Sequence, residues 1–173
     1  MIPTILVFLT LAVADGSWGS PAVVSHEDQP AITYRAQLAG GYLAVEVKLE
    51  PGWHTFAMDN DKRAAVKLAG KKALSVDKPT HLQPEGIEVT GAWLQSPPKD
   101  FSEPELRIFS WGFEGEARFV APAKVLSTIG GAASVRIKGQ ACTQTVCKNV
   151  DVSVEVPVAA GSAPSTTGLI AVQ

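Results

Sequence analysis

The 173-residue chain carries only two cysteines, three histidines and two methionines. That supply is too small for a cysteine-rich structural metal domain. A blue-copper centre would need two histidines and a cysteine, and His26, His54 and His81 share no paired spacing. Asp59, Asn60 and Asp61 resemble the start of a calcium loop, but the following glycine and the bidentate glutamate are missing, so this triplet reads as a turn. Charge of one sign is lacking as well. Fifteen basic residues stand against seventeen acidic ones, for a formal charge of −2, which offers no attraction to nucleic acid or to an anionic membrane surface. No Ser/His/Asp arrangement, phosphate-cradling glycine loop or carboxylate pair is recognisable, and no cofactor is expected.

Long hydrophobic runs are absent after the first residues. The opening stretch Ile2 to Ala14 is apolar for about a dozen residues, too few to span a hydrocarbon core about 30 Å thick. It closes in Ala12, Val13 and Ala14, the small-x-small pattern that precedes cleavage. Residues 1–14 therefore read as a secretory signal, although no Lys or Arg precedes the apolar core. Export leads to a periplasmic or secreted location, with no membrane span in the mature chain.

What is present is a series of short strand patterns. Residues 15–30 are small, polar and proline-bearing and read as a linker. Strands are then expected at Ala31 to Leu38, Tyr42 to Leu49, His54 to Met58, Ala64 to Leu68, Gly86 to Thr90, Leu106 to Trp111 and Ala117 to Val120, with two more around the cysteines. Gly40 and Gly41 supply a hairpin turn signal between the first two. Helical periodicity is nowhere sustained, so the fold class expected for residues 31–157 is all-β, an antiparallel β-sandwich. Residues 158–173 are poor in large apolar side chains and read as a disordered tail.

Both cysteines lie within one stretch, Ala133 to Val156. Val135 and Ile137 alternate with Arg136 and Lys138 before the pair, and Val150, Val152, Val154 and Val156 alternate with Asp151, Ser153 and Glu155 after it. That is a hairpin with one buried face, and a bond between Cys142 and Cys147 across its mouth is sterically plausible. Two functions are open for such a bond. As a staple, closing a loop of about six residues contributes roughly 2 kcal/mol, a modest gain for a domain that can bury a sizeable core unaided. As a redox pair near solvent, it can be attacked by a partner thiolate and pass through a mixed disulfide.

The run Gln140 to Cys147, QACTQTVC, resembles the cysteine motif of the N-terminal periplasmic domain of DsbD, the thiol:disulfide interchange protein, and of the related disulfide bond corrector proteins. Pro51 to Phe56, PGWHTF, resembles a second segment of that family, and Phe113 to Pro122 a third. The resemblance covers about residues 32–156. It implies an immunoglobulin-like sandwich and a protein thiol-disulfide oxidoreductase that relays reducing equivalents through Cys142 and Cys147 to or from a thioredoxin-like or other redox protein. Cys147 would be the sulfur that engages the partner. The resemblance also places His54 or Phe56 beside the sulfurs, and makes Asp100 and Phe101 a cap that covers the disulfide and withdraws when the partner docks. Lys138 and Lys148 are candidates for stabilising a thiolate. Family members continue from the second cysteine into a proline-containing segment, whereas here Lys148 and Asn149 follow. The alternative is a secreted, non-enzymatic sandwich serving as a binding or assembly module, in which the disulfide is structural.

Overall fold

The computed structural model describes residues 18–71, 77–126, 133–159 and 161–173; the segment read as a signal lies outside them. Two sheets make the fold. In chain order the strands are β1 (Ala22–His26), β2 (Gln29–Ala39), β3 (Tyr42–Leu49), β4 (His54–Phe56), β5 (His81–Glu85), β6 (Ile87–Val89), β7 (Leu94–Gln95), β8 (Lys99–Asp100), β9 (Trp111–Glu114), β10 (Glu116–Val125), β11 (Ser134–Cys142), β12 (Cys147–Glu155), β13 (Val158–Ala159) and β14 (Ile170–Ala171). One sheet runs β1-β2-β3-β10-β7-β14, with β13 alongside β2 and β6 alongside β10. The other runs β12-β11-β4-β9-β8, with β5 alongside β11.

Alternation explains how the layers meet. Tyr34, Val45, Val47 and Phe119 face inward from the first sheet and meet Phe113, Val135, Ile137 and Val154 of the second, all at most 3% exposed. Phe113 and Phe119 touch edge to face with centroids 5.6 Å apart. Each such side chain contributes about 1.5–3 kcal/mol on burial, so the all-β sandwich rests on its apolar core.

Five expectations are corrected. The stretch read as a linker contains β1 and the start of β2, paired from Ala22↔Tyr34 to His26↔Gln29. The stretch read as a tail contains β13, parallel to β2, and β14, antiparallel to β7. β13 and β14 are two residues each, too short to show an alternation, and β1 alternates over only five, with Ala22 and Val24 partly buried against the core. Residues 64–68 are helical, within α1 (Asn60–Leu68). Their alternating Ala64, Val66 and Leu68 looked strand-like, but Val66 is 75% exposed and only Asn60 and Ala64, one turn apart, are buried. The triplet read as a turn thus opens this helix, which Ala69 closes in the left-handed region. Residues 106–110 are not a strand either: Pro104–Leu106 is a 3-10 turn, ended by Arg107 at φ 55, and β9 begins only at Trp111.

Asp59 and Asn60 anchor that helix from its first turn. Asp59 is buried and takes both ends of the Arg63 guanidinium at 2.8 and 2.9 Å, together with Gln95 Nε2 at 2.7 Å and the Gln173 N–H at 3.0 Å. Burial pushes its carboxyl up, but the hydrogen bonds from Arg63, Gln173 and Gln95 outweigh burial and hold it below the ordinary range. Asn60, fully buried, accepts from the Trp111 N–H and donates to the Asp77 carbonyl. It fixes α1 against β9.

Candidate functional site

Cys142 and Cys147 are bonded, and they are directly paired at the end of the β11–β12 hairpin with Cα atoms 4.0 Å apart. Between them Thr143 closes the turn. Its N–H donates to the Val146 carbonyl at 2.7 Å, and its hydroxyl accepts from the N–H groups of Thr145 and Val146. Such side-chain closure is what threonine offers a tight turn. The two halves of the bond differ: Cys142 is 3% exposed, whereas Cys147 lies on the exposed side of the hairpin beside Val146, itself 36% exposed.

Register then sets the neighbours. Cys142 pairs with His54 across β11 and β4, and His54 pairs with Glu114 across β4 and β9. Directly paired residues share a face, so Cys147, Cys142, His54 and Glu114 form one row across four strands. Thr55 and Ala141 point the other way, into the core. The row therefore lies on the outer face of the second sheet.

Aromatic rings pack against the His54 of that row. The His54 ring lies 5.0 Å from Phe101, tilted by 32°, and 5.3 Å from Phe56, edge to face. Burial pushes the His54 imidazole below its ordinary value, against the opposing pull of the Asp77 and Glu114 charges. It is a neutral group at neutral pH, able to accept a proton beside the buried sulfur.

The sequence-derived residues are thus largely brought together: Cys142, Cys147, His54, Phe56 and Phe101 meet on one face. Asp100 contributes differently. It is exposed on β8, and its carboxylate accepts from the Ser102 N–H at 2.9 Å, shaping the loop that presents Phe101. The two lysines are engaged elsewhere. Lys148 Nζ donates to the Ser25 carbonyl of β1 at 2.8 Å, and Lys138 acts on Asp151. The other histidines stand apart, His26 edge-on to Trp53 at 5.5 Å and His81 at the start of β5. Among the described residues no group of three metal-ligating side chains converges, and no helix is long and apolar enough to cross a membrane.

Sequence reasoning missed the residues that fasten the loop carrying Phe101. The Phe101 N–H donates to the Ser110 carbonyl, and the Ser110 N–H to the Ser102 hydroxyl. Ser110 Oγ donates to the carboxylate of Asp77. Next in the chain, the Lys78 N–H donates to Gln140 Oε1 at 3.3 Å and its Nζ to Asn149 Oδ1 at 2.9 Å. Gln140 and Asn149 are themselves paired, two residues below the cysteines. Nothing in the local pattern around Asp77 marks it, because its partners lie 17 and 33 positions away.

Among solved structures the chain is similar to the N-terminal periplasmic domain of ScsB from Proteus mirabilis, with a TM-score of 0.52 at 16% sequence identity over 80% of this chain and 50% of that one. It is also similar to the N-terminal domain of DsbD from Neisseria meningitidis in its reduced form, with a TM-score of 0.49 at 12% identity over 83% of this chain and 91% of that one. This chain spans half the length of the ScsB chain. At this identity the ScsB match establishes a shared fold. No protein-family model matches the chain, and no curated protein sequence does.

Proposed function

We propose that this domain is a thiol-disulfide exchange module of the DsbD N-terminal type, working in an exported compartment and passing reducing equivalents between Cys142–Cys147 and a partner protein dithiol. The observation that carries the reading is the asymmetric pair: one cysteine exposed, the other buried and paired in register with His54, on whose ring Phe101 packs. The cysteine motif and the shared fold support it.

In the reducing direction a partner thiolate attacks Cys147 Sγ. A bond forms from the partner sulfur to Cys147, the Cys142–Cys147 bond breaks, and Cys142 leaves with the electron pair and takes a proton. The partner's second thiolate then attacks its own first sulfur and expels Cys147, which is protonated in turn. The partner loses two electrons and two protons and ends as a disulfide, while this pair ends as a dithiol; the reverse sequence oxidises it. In the reducing direction the Cys142 thiolate takes its proton from solvent, since a displaced thiolate on a half-buried face is costly unless neutralised, and in the reverse direction the neutral His54 receives the proton that Cys142 gives up.

The test is the midpoint potential of the pair, measured by equilibrating the domain in glutathione or dithiothreitol buffers while following its fold by circular dichroism. A value of roughly −120 to −270 mV with the fold retained is expected of an exchange domain. A value below about −300 mV, or unfolding on reduction, overturns the proposal and leaves a stapled sandwich.

A further inference from the structure

We infer that Lys78 is a positioning residue that clasps the two strands of the cysteine hairpin together and thereby lowers the reduction potential of the pair; this inference rests on the exchange reading, whose redox pair it tunes. Gln140 and Asn149 are directly paired, two residues in from the Cys142↔Cys147 pair. Side chains alternate along a strand, so these two share the face of the sulfurs, in the next row of the hairpin. One residue from outside the hairpin holds both. The Lys78 N–H donates to Gln140 Oε1 at 3.3 Å, and Lys78 Nζ donates to Asn149 Oδ1 at 2.9 Å.

The clasp is mounted on a fixed segment. On one side of it the buried Asn60 donates to the Asp77 carbonyl at 2.8 Å, and on the other the buried Thr80 donates its hydroxyl to the Phe56 carbonyl at 2.6 Å. A Cβ on Gly139 would lie 3.1 Å from the Pro79 carbonyl oxygen, so the segment runs close along β11. The two strands it joins differ in support. β11 lies between β12 and the pair β4 and β5, and Thr55 Oγ1 adds a bond to the Gln140 carbonyl. β12 stands at the end of its sheet, and near Cys147 its side chains tie it to the body of the domain through the Asn149–Lys78 bond and through Lys148 to the Ser25 carbonyl. While the disulfide stands, it holds the strand ends together itself. In the dithiol their approach depends on noncovalent ties, and a tie that is complete only with the strands closed raises the effective concentration of one thiol at the other. Linkage makes the effect reciprocal: the clasp favours the disulfide as the disulfide favours the clasp.

The experiment equilibrates the intact domain and its variants with dithiothreitol at neutral pH and reads the fraction reduced. One reagent molecule gives up two electrons and two protons and closes to its cyclic disulfide, while the Cys142–Cys147 bond opens to two thiols. Lys78→Ala and Asn149→Ala are each expected to lower the effective concentration about threefold, the factor that one exposed hydrogen bond supplies. That raises the midpoint potential by about 14 mV, at about 29.6 mV per tenfold change for two electrons. The double variant should move no further than either single one, because both break the same bond. Asn149→Asp, which keeps an acceptor for Lys78, should return the potential toward the native value. Lys138→Ala removes a positive charge from the same face without breaking the clasp and should leave the potential unmoved. A loss of stability common to the disulfide and the dithiol moves none of these values. Native potentials in Lys78→Ala and Asn149→Ala, additive shifts in the double variant, or an equal shift in Lys138→Ala would each overturn the clasp. A native potential below about −300 mV with the same variant shifts would overturn the exchange reading alone, and unfolding on reduction would overturn both.

Discussion

The molecule builds the same unit twice. The β2–β3 hairpin pairs eight positions, from Ile32↔Leu49 to Ala39↔Tyr42, and turns through Gly40 and Gly41, both at positive φ. The β11–β12 hairpin pairs nine, from Ser134↔Glu155 to Cys142↔Cys147, and turns through four residues that Thr143 closes with its own hydrogen bonds. The first reaches its register with no covalent link. Buried alternation sets it, since a slip by one residue would turn Leu43, Val45 and Val47 out of the core. Val135, Ile137, Val150 and Val154 do the same for the second hairpin, so its disulfide spans a turn that packing and hydrogen bonds already define. The bond is then free to be spent on chemistry.

Removing the link tests this contrast most severely. Cys142→Ala and Cys147→Ala should each abolish exchange with any dithiol partner while the sandwich persists, at a stability cost of about 2 kcal/mol by chemical denaturation. Loss of the sandwich in either variant would show that the second hairpin, unlike the first, needs its bond.

A turn substitution in the uncrosslinked hairpin should do the converse. Gly40 sits at φ 55, and a Cβ there would lie 2.3 Å from the Ala163 nitrogen. Gly40→Ala is expected to cost about 2–3 kcal/mol with the midpoint potential of the distant cysteine pair unmoved. A shifted potential would mean that the two hairpins are coupled.

Acidity also reaches the cysteine hairpin's neighbour, in a window above that of the carboxylates. Burial keeps the folded His54 neutral below its ordinary titration point, so as pH falls through about 6.5 the unfolded chain binds a proton that the folded one refuses. Stability should decline in that window as pH falls and level off once the folded imidazole is protonated as well. His54→Gln should flatten this part of the stability profile, and an unchanged slope would show that His54 does not set it. The smallest effect belongs to the surface of the first hairpin. Arg35 pairs with Glu46 at 2.8 Å while partly exposed, so Arg35→Ala should cost under about 1 kcal/mol in the same denaturation assay.

Legibility in the sequence followed the same division. Strands whose side chains are sorted between core and solvent, such as Tyr42–Leu49 and the pair flanking the cysteines, could be read from alternation alone. Short edge strands could not: β14 has only two residues, and β1 turns just Ala22 and Val24 toward the core before it runs into Ser25 and His26. Helix α1 escaped for a related reason, since its anchors are the polar Asp59 and Asn60 and no apolar stripe runs along it. At the site, the cysteines and the PGWHTF segment were visible as motifs, and Phe101 followed from resemblance. Asp77 and Ser110 meet only because the chain folds back, and no local spacing records a contact across 33 residues.

The described residues after Val156 have a consequence for life among other copies of the chain. A sheet edge left open is a template for intermolecular pairing. Here β13 takes up β2 at Leu38 and Ala39, β14 takes up β7 at Leu94 and Gln95, and the Val172 N–H adds a bond to the Trp93 carbonyl. Gln173 then fastens the end to buried Asp59. What the sequence presents as a polar tail serves as a selvedge, binding off strands that would otherwise recruit their like, and a domain cut after Val156 should aggregate through β7 while its cysteine site remains intact.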